Sequence, residues 1–381
     1  MRYYKIEIQD EGGQAVNRSN GSTISWTTHP NGVNAPPDPG ALMCEFDLPV
    51  ADFAAPMGEA NGCYVRLYGI SITDINQAQD LVNKNIAIYG GMGKGLPLAK
   101  PAQSGLLLQG RINQSFGNWQ GRAMTLDLII TTLTPTAGTA AAQPIVMSWK
   151  ANQPLATAIR NTMQTAFPNY TLDIKISDRL VLANDEPGYW ATMPQFAAWV
   201  QVISRKIINL DPPQPGPWGT AADINGKYPG VSIVLNGKVL TVTDGSTASS
   251  PRELAYEDLI GQPTWIASFS IQVQTVLRAD LQVGNFIRLP PGPTIVTAQS
   301  MDSYTKLRNG LIFKGDFQIK ALRHIGNSRD PSGSNWVTVI EAFKAEVNKD
   351  NTSSIPTAAQ PGAPTVPEGD VKVGVSQITA S

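Results

Sequence analysis

Apolar and polar positions alternate from the first residues. Tyr4, Ile6 and Ile8 fall on one face of Arg2–Ile8, and Tyr3, Lys5 and Glu7 on the other. A period of two is the mark of a half-buried strand. Asn17 to Gly40 reads instead as a long polar loop, with His29-Pro30 and the run Ala35-Pro36-Pro37-Asp38-Pro39-Gly40. Proline fixes φ and has no N–H to donate, so the segment is expected to lie outside any sheet. Alternation resumes over Cys63–Ile72, Lys84–Tyr89, Gly105–Ile112 and Gly121–Thr131. In the last of these Met124, Leu126, Leu128 and Ile130 oppose Thr125, Asp127 and Thr131. Glycine and turn residues separate these runs, as in a small antiparallel barrel or sandwich.

The period then changes. Pro135 to Pro144 reads as an Ala/Thr/Gly linker. Asn152 is a candidate N-cap with Pro154 early in a helix, and Leu155, Ile159, Met163 and Ala166 follow at helical spacing up to Pro168. A second helix is predicted from Thr192, with Gln195 completing a capping box. Phe196, Trp199, Val200, Ile203 and Ile207 form its apolar stripe. Leu172–Ala183 between the helices reads as a strand. Pro212-Pro213-Gln214-Pro215-Gly216-Pro217 reads as a stiff connector.

From Val231 the period returns to two. Val231–Leu235 and Val239–Val242 flank Asn236-Gly237, a strong hairpin signal. Trp265–Val276 reads as one long strand, followed by Asn285–Leu289, Thr294–Ala298, Asp316–Ile325 and Asn335–Phe343. After Asn351, Ser, Thr, Pro, Gly and Ala dominate, a composition that cannot bury a core alone. The pattern predicts an α+β, mainly β chain in four parts. A β unit spans 1–135, a mixed α/β unit with two helices 144–225, a second β unit 226–347 and a flexible tail 348–381.

Composition adds one feature. Charged residues are 15% of the 381, against roughly 25% in an average soluble protein. Surfaces covered by neighbours account for this, and so does a Gly/Pro-rich β architecture, with 34 Gly and 29 Pro. The net charge of -1 and the lack of any Lys/Arg run argue against a nucleic-acid-binding surface. No stretch approaches the ~18 apolar residues of a membrane span, and no signal peptide is evident at Met1–Asp10. The chain is therefore expected to be made and folded in a cytoplasm.

Candidate chemistry is sparse. Cys44 and Cys63 are too few for a disulfide framework and read as buried small hydrophobes. His29 and His324 are far apart, and no short-spaced Cys/His cluster offers a zinc site. Gly90-Gly91-Met92-Gly93-Lys94-Gly95 fails the phosphate-loop pattern, which needs Gly at Ile88 and Ser or Thr at Gly95. It reads as a glycine-rich hairpin turn. Asp185-Glu186 and Glu257-Asp258 are candidate acidic pairs for glycoside hydrolysis, but adjacent loop residues rarely face one cleft. Trp119, Trp190 and Trp218 could stack on sugars if exposed, and otherwise read as core or interface anchors. No catalytic, cofactor-binding or metal residue is predicted.

Several stretches resemble the baseplate hub proteins of contractile-tailed bacteriophages. These are Val65–Ile70, Lys84–Met92, Gly95–Ala99 and Phe116–Trp119 in the first β region, and Ile260–Thr264, Leu277–Asn285, Ala321–Arg329 and Trp336–Ile340 in the last. The resemblance spans most of residues 1–350. It implies two tube-like antiparallel β-barrel domains flanking the mixed domain, and a homotrimer that sets six barrels in a ring. Such a ring joins a hexameric tail tube to a trimeric central spike and surrounds the tail channel. The implied partners are the chain itself, a tail tube or tube-initiator protein, the spike and other baseplate proteins, with DNA only as transient cargo. The implied place is the virion tail baseplate, assembled in the host cytoplasm, and the implied role is structural, without enzyme activity or cofactor. The alternatives are a receptor- or glycan-binding tail-tip protein and a peptidoglycan-degrading tail enzyme.

Overall fold

The computed structural model describes residues 2–18, 20–54, 62–93, 100–132, 144–209, 230–236, 238–244, 250–267, 270–290, 313, 315–332 and 334–345. The linker after Pro135, the Pro212–Pro217 connector, Gly95–Ala99, Gly237, Trp218, the Thr294–Ala298 strand and the tail from residue 348 lie outside them. The fold is mainly β, built on a 13-stranded, largely antiparallel sheet.

The first half contributes seven strands: β1 (Arg2–Gln9), β2 (Ser25–Thr27), β3 (Met43–Ala51), β4 (Cys63–Tyr68), β5 (Asn85–Met92), β6 (Gly105–Gln120) and β7 (Ala123–Thr131). Their inward residues, including Tyr4, Ile6, Phe46, Leu48, Val65, Leu67, Ile88, Leu126 and Leu128, form one buried core. The middle holds β8 (Ile145–Trp149), α2 (Leu155–Ala166), β9 (Thr171–Lys175), β10 (Glu186–Trp190) and α3 (Met193–Asn209), after a short α1 (Ile72–Asn76) between β4 and β5. The apolar stripes of α2 and α3 close a second core around Trp149, Ile159, Met163, Phe196 and Val200. β11 (Ser232–Asn236) and β12 (Val239–Thr243) form a hairpin that pairs with β9, and contribute Ile233, Leu240 and Val242 to that core. The remaining strands are β13 (Arg252–Glu253), β14 (Thr264–Ala267), β15 (Ser270–Val276), β16 (Phe286–Arg288), β17 (Asp316–Asn327) and β18 (Trp336–Ala345). They enclose a third core with Ile271, Val273, Phe317, Ile319 and Ile340.

Strand order repeats. In the first half the order is β3-β4-β7-β6-β5, and in the last it is β14-β15-β18-β17-β16. Every neighbouring pair in both runs is antiparallel. The pairings also correspond residue by residue. Cys63 faces Ile130 and Ile271 faces Ala342; one step further Ile129 and Glu341 stand next to a skipped residue, Asn113 in β6 and Lys320 in β17. A bulge thus sits at the same point of both long hairpins. Inward parity is kept: Cys63, Val65 and Leu67 correspond to Ile271, Val273 and Thr275, all buried.

Several expectations change. The loop after Asn17 does contain sheet, because Ser25–Thr27 precedes the prolines and pairs with Lys5–Glu7. The strand from Cys63 stops at Tyr68; Gly69 takes φ 78° and the Ser71 hydroxyl caps α1 by accepting from the Asp74 N–H. Gly90 and Gly91 are not a turn but part of β5, opposite Tyr4 and Tyr3. A Cβ on Gly90 would stand 2.6 Å from Leu107 and 2.9 Å from Leu277, so glycine lets those side chains cross the strand. Asn152 does not cap α2: it has φ 58°, and Pro154 holds the cap position. The capping box of α3 is shifted. The Gln195 N–H does donate to Thr192, at 3.4 Å, but the Gln195 side chain accepts from Ala191. The run 172–183 is strand only to Lys175. Trp265–Val276 is two antiparallel strands, β14 and β15, whose shared alternation hides the reversal.

Candidate interaction surface

The catalytic candidates do not assemble. Asp185 is exposed and accepts from Lys150 Nζ and the Ala151 N–H, both at 2.8 Å. The Lys150 ammonium holds its carboxyl below the usual range. Glu186 lies at the start of β10, opposite Trp149. Glu257 is exposed and meets Lys100 at 3.4 Å. Its neighbour Asp258 is buried, accepting from Lys100 (2.9 Å), Gln103 (3.1 Å) and Arg278 (3.1 Å). Burial opposes its ionisation, but these donors outweigh burial and keep the carboxyl low. Asp258 is thus a fixed counterion rather than a proton donor. It ties the segment before β6 to the turn after β15.

His324 is buried in β17, its Nδ1 2.9 Å from the Thr338 hydroxyl, which also accepts from the Arg278 N–H. Burial pushes its pKa down to about 4, so it is neutral near pH 7. His29 sits 2.9 Å from the Thr28 hydroxyl and edge-on to Tyr3, and burial lowers it too. Cys44 and Cys63 are free and buried; burial raises both thiols, Cys63 to about 12. No group of three His, Cys, Asp or Glu side chains suited to a metal occurs among the described residues. No helix of the described residues is long and apolar enough to cross a membrane. Trp190 packs on Phe196 and Trp199, whereas Trp119 is 65% exposed at the β6–β7 turn, where its Nε1 donates to the Gly121 carbonyl.

What the fold does assemble is a continuous polar face and the strand edges that bound it. Residues that point away from the cores run across the sheet from Gln272 and Gln274 on β15, through Glu341 on β18 and Arg323 on β17, to Asp47 and Glu45 on β3. The face continues to Arg66 on β4 and Asp127 on β7. Arg323 grips the Asp47 carboxylate with two nitrogens, at 2.8 and 2.5 Å. Tyr68 donates to Glu45 at 2.7 Å. Asp127 accepts from Arg66 at 2.5 Å, Tyr64 at 2.8 Å and Asn118 at 2.9 Å. Burial opposes the charge on Asp127, and these donors nonetheless hold it ionised. A shallow depression of about 290 Å³ on this face is lined by Gln262, Thr264, Gln272, Arg323 and Glu341.

The face is continuous because the two repeats share a joint. Ala321–Asn327 of β17 pairs antiparallel with Ala51–Glu45 of β3. Gly326 faces Phe46 there, and a Cβ on Gly326 would stand 2.2 Å from the Phe46 ring, which packs edge-on against Trp336. The bulge residue Lys320 donates to the Ser232 hydroxyl at 2.7 Å beside Asp52, and burial pushes its ammonium down to about 8. Asp52 in turn accepts from the Ala54 and Ile233 N–H groups. This polar knot fastens β11 to the joint. β3 was not among the strands expected from the pattern, although Cys44, Phe46 and Leu48 alternate with Glu45 and Asp47. Nor were β8 and β10. Alternation could have found β3 and β8, whereas Pro187-Gly188 masks β10.

No protein-family model matches the chain, and no curated protein matches it in sequence. Among solved structures, the fold is similar to the c3393 protein of E. coli, a type VI secretion system component described as structurally similar to T4 bacteriophage tail proteins gp27 and gp5. The TM-score is 0.44 at 8% identity, covering 80% of this chain and 73% of that one. It is similar to the 43 kDa tail protein of prophage MuSo2 from Shewanella oneidensis, with TM-score 0.44, 6% identity and coverage of 90% and 97%. It is similar too to the tail protein from Neisseria meningitidis MC58, with TM-score 0.42, 8% identity and coverage of 90% and 96%.

Proposed function

We propose that the chain is a non-enzymatic baseplate hub of a contractile tail, a homotrimer that joins a hexameric tail tube to a trimeric spike and surrounds the channel. The observation that carries this reading is the repeated five-strand order with its matching bulge. A trimer has three-fold symmetry and a tube ring six-fold. Two equivalent β units per chain remove the mismatch, because three chains then present six similar faces. In this reading β1–β7 within 1–135 and β13–β18 within 226–347 build two tube-like barrels flanking the mixed unit of 144–225, whose sheet β11 and β12 extend, and 348–381 serves as a tail. The polar face built around Glu45, Asp47, Asp127 and Glu341 lines the channel. Its carboxylates outnumber Arg66 and Arg323, so it repels passing phosphates rather than holding them.

The test is location. Gold-labelled antibody against the chain, applied to the intact contractile particle that carries it, is expected to mark the junction of tube and spike. Label on the distal fibres would favour a receptor-binding protein instead, the reading that the exposed Trp119 would serve. The purified chain is expected to clear no peptidoglycan in a zymogram and to hydrolyse no nucleoside triphosphate. Clearing that disappears on Glu186→Gln or Glu257→Gln would contradict the reading.

A further inference from the structure

The three buried cores do not meet flush. Where they converge they leave a cavity of about 290 Å³. Leu107 comes to it from the first core, Leu235 from the second, and Leu281 and Leu322 from the third. The exposed Leu106 and Gln282 mark its mouth. Its polar side chains are Gln109, Gln282 and His324, and no aspartate, glutamate, lysine or arginine lines it. Of the three, His324 alone is buried, at 2% exposure. Thr338 occupies its Nδ1, so Nε2 is the ring nitrogen left to the cavity, with no hydrogen-bond partner among the described residues. The Thr338 hydroxyl has one proton to give. It lies 2.9 Å from Nδ1 and 3.4 Å from the Arg278 carbonyl oxygen, and the longer distance is beyond the ordinary O–H···O range. The hydroxyl therefore donates to Nδ1, which leaves the ring proton on Nε2.

We propose that this cavity binds a small, uncharged, apolar carbonyl compound whose oxygen accepts from the Nε2–H of His324. The lining restricts the occupant in three ways. A buried water needs about two to four polar partners, and the buried end of the cavity offers one. A charged molecule would lose its hydration without gaining a counterion, since His324 is neutral near pH 7 and no other ionisable group lines the space. A pure hydrocarbon would fill the apolar walls but leave the Nε2–H unpaired, which costs free energy in a buried site. Size sets the scale. An apolar cavity of about 150 Å³ already holds benzene, so a single ring with a short acyl group fits here. Ligand sites favour the boundaries between packed units. This one touches all three cores, so its occupant binds the chain only while the mixed unit and the two β units stay together, and stabilises that arrangement. The site lies within one chain and uses no contact of the ring reading.

Histidine NMR of the full-length chain tests the proposal directly. The chain has two histidines, so a chain labelled with carbon-13 in the imidazole rings gives two Cε1–H signals to follow. The probe is acetophenone, and the control is cumene, which has the same shape without the carbonyl oxygen. Acetophenone is expected to move the His324 signal to saturation and to leave that of His29, which does not line the cavity, in place. Cumene is expected to bind about fivefold more weakly, the value of one neutral hydrogen bond. Leu106→Trp fills the mouth from an exposed position and is expected to abolish the shift; Gln282→Trp serves in its place if the first variant disturbs the His29 signal. Three results would overturn the proposal: both histidine signals moving together without saturation, cumene binding as tightly as acetophenone, or an unchanged His324 response in a folded variant whose mouth is filled.

Discussion

His324 shows how a single residue reports on the joint. It is buried beside Thr338, and its pKa stands near 4 against an ordinary value of 6.5. Between pH 6.5 and 4 the unfolded chain holds a proton there that the folded chain lacks. Stability is therefore complete above about pH 6.5 and is lost as the pH falls toward 4. The full linkage amounts to about 3 kcal/mol, at ~1.4 kcal/mol for each pKa unit. Urea unfolding of the wild-type chain and of His324→Gln across this range is expected to give curves that converge as the pH falls. Parallel curves would mean that His324 is protonated equally in both states. A histidine alone in a strand was legible as a structural hydrogen-bonder; its counterpart Gly117 and its partner Thr338 were not, because they are set by pairings between distant segments.

At the scale of elements, the sequence was most legible where one face of a strand is buried and the other half-exposed. β4 alternates cleanly for that reason, and β1 and β7 do so apart from Tyr3 and Asp127, which are buried on the outward face. Bulges and hidden reversals defeat the same signal. Asn113 shifts the parity of β6, so its distal half no longer reads as a continuation. The β14–β15 reversal keeps the parity, so two strands read as one. The joint depends on Gly326, whose lack of a side chain admits the Phe46 ring. Gly326→Ala is expected to cost about 1–3 kcal/mol through overpacking. Adding Phe46→Leu is expected to cost less in that background than in the wild type, because the two changes share one space. Additive losses in urea unfolding would mean that the ring has room to move.

At the scale of the molecule, the repeat is plain in strand order and nearly absent from the letters. Buried positions ask only for apolar volume or a satisfied hydroxyl, so Leu67 and Thr275, or Leu126 and Thr338, serve the same place. Outward positions answer to different neighbours, and share less still. The two-barrel expectation came from resemblance, whereas the order, the bulge and the joint came from the pairings. The central claim is that this repeat lets three chains imitate six. Electron cryomicroscopy of the assembled full-length chain tests it most directly. The account predicts a three-chain ring in which β3–β7 units and β14–β18 units alternate, related by rotations near 60° about the axis. A ring of any other number of chains, or one whose two units are not related by a rotation about that axis, would contradict it.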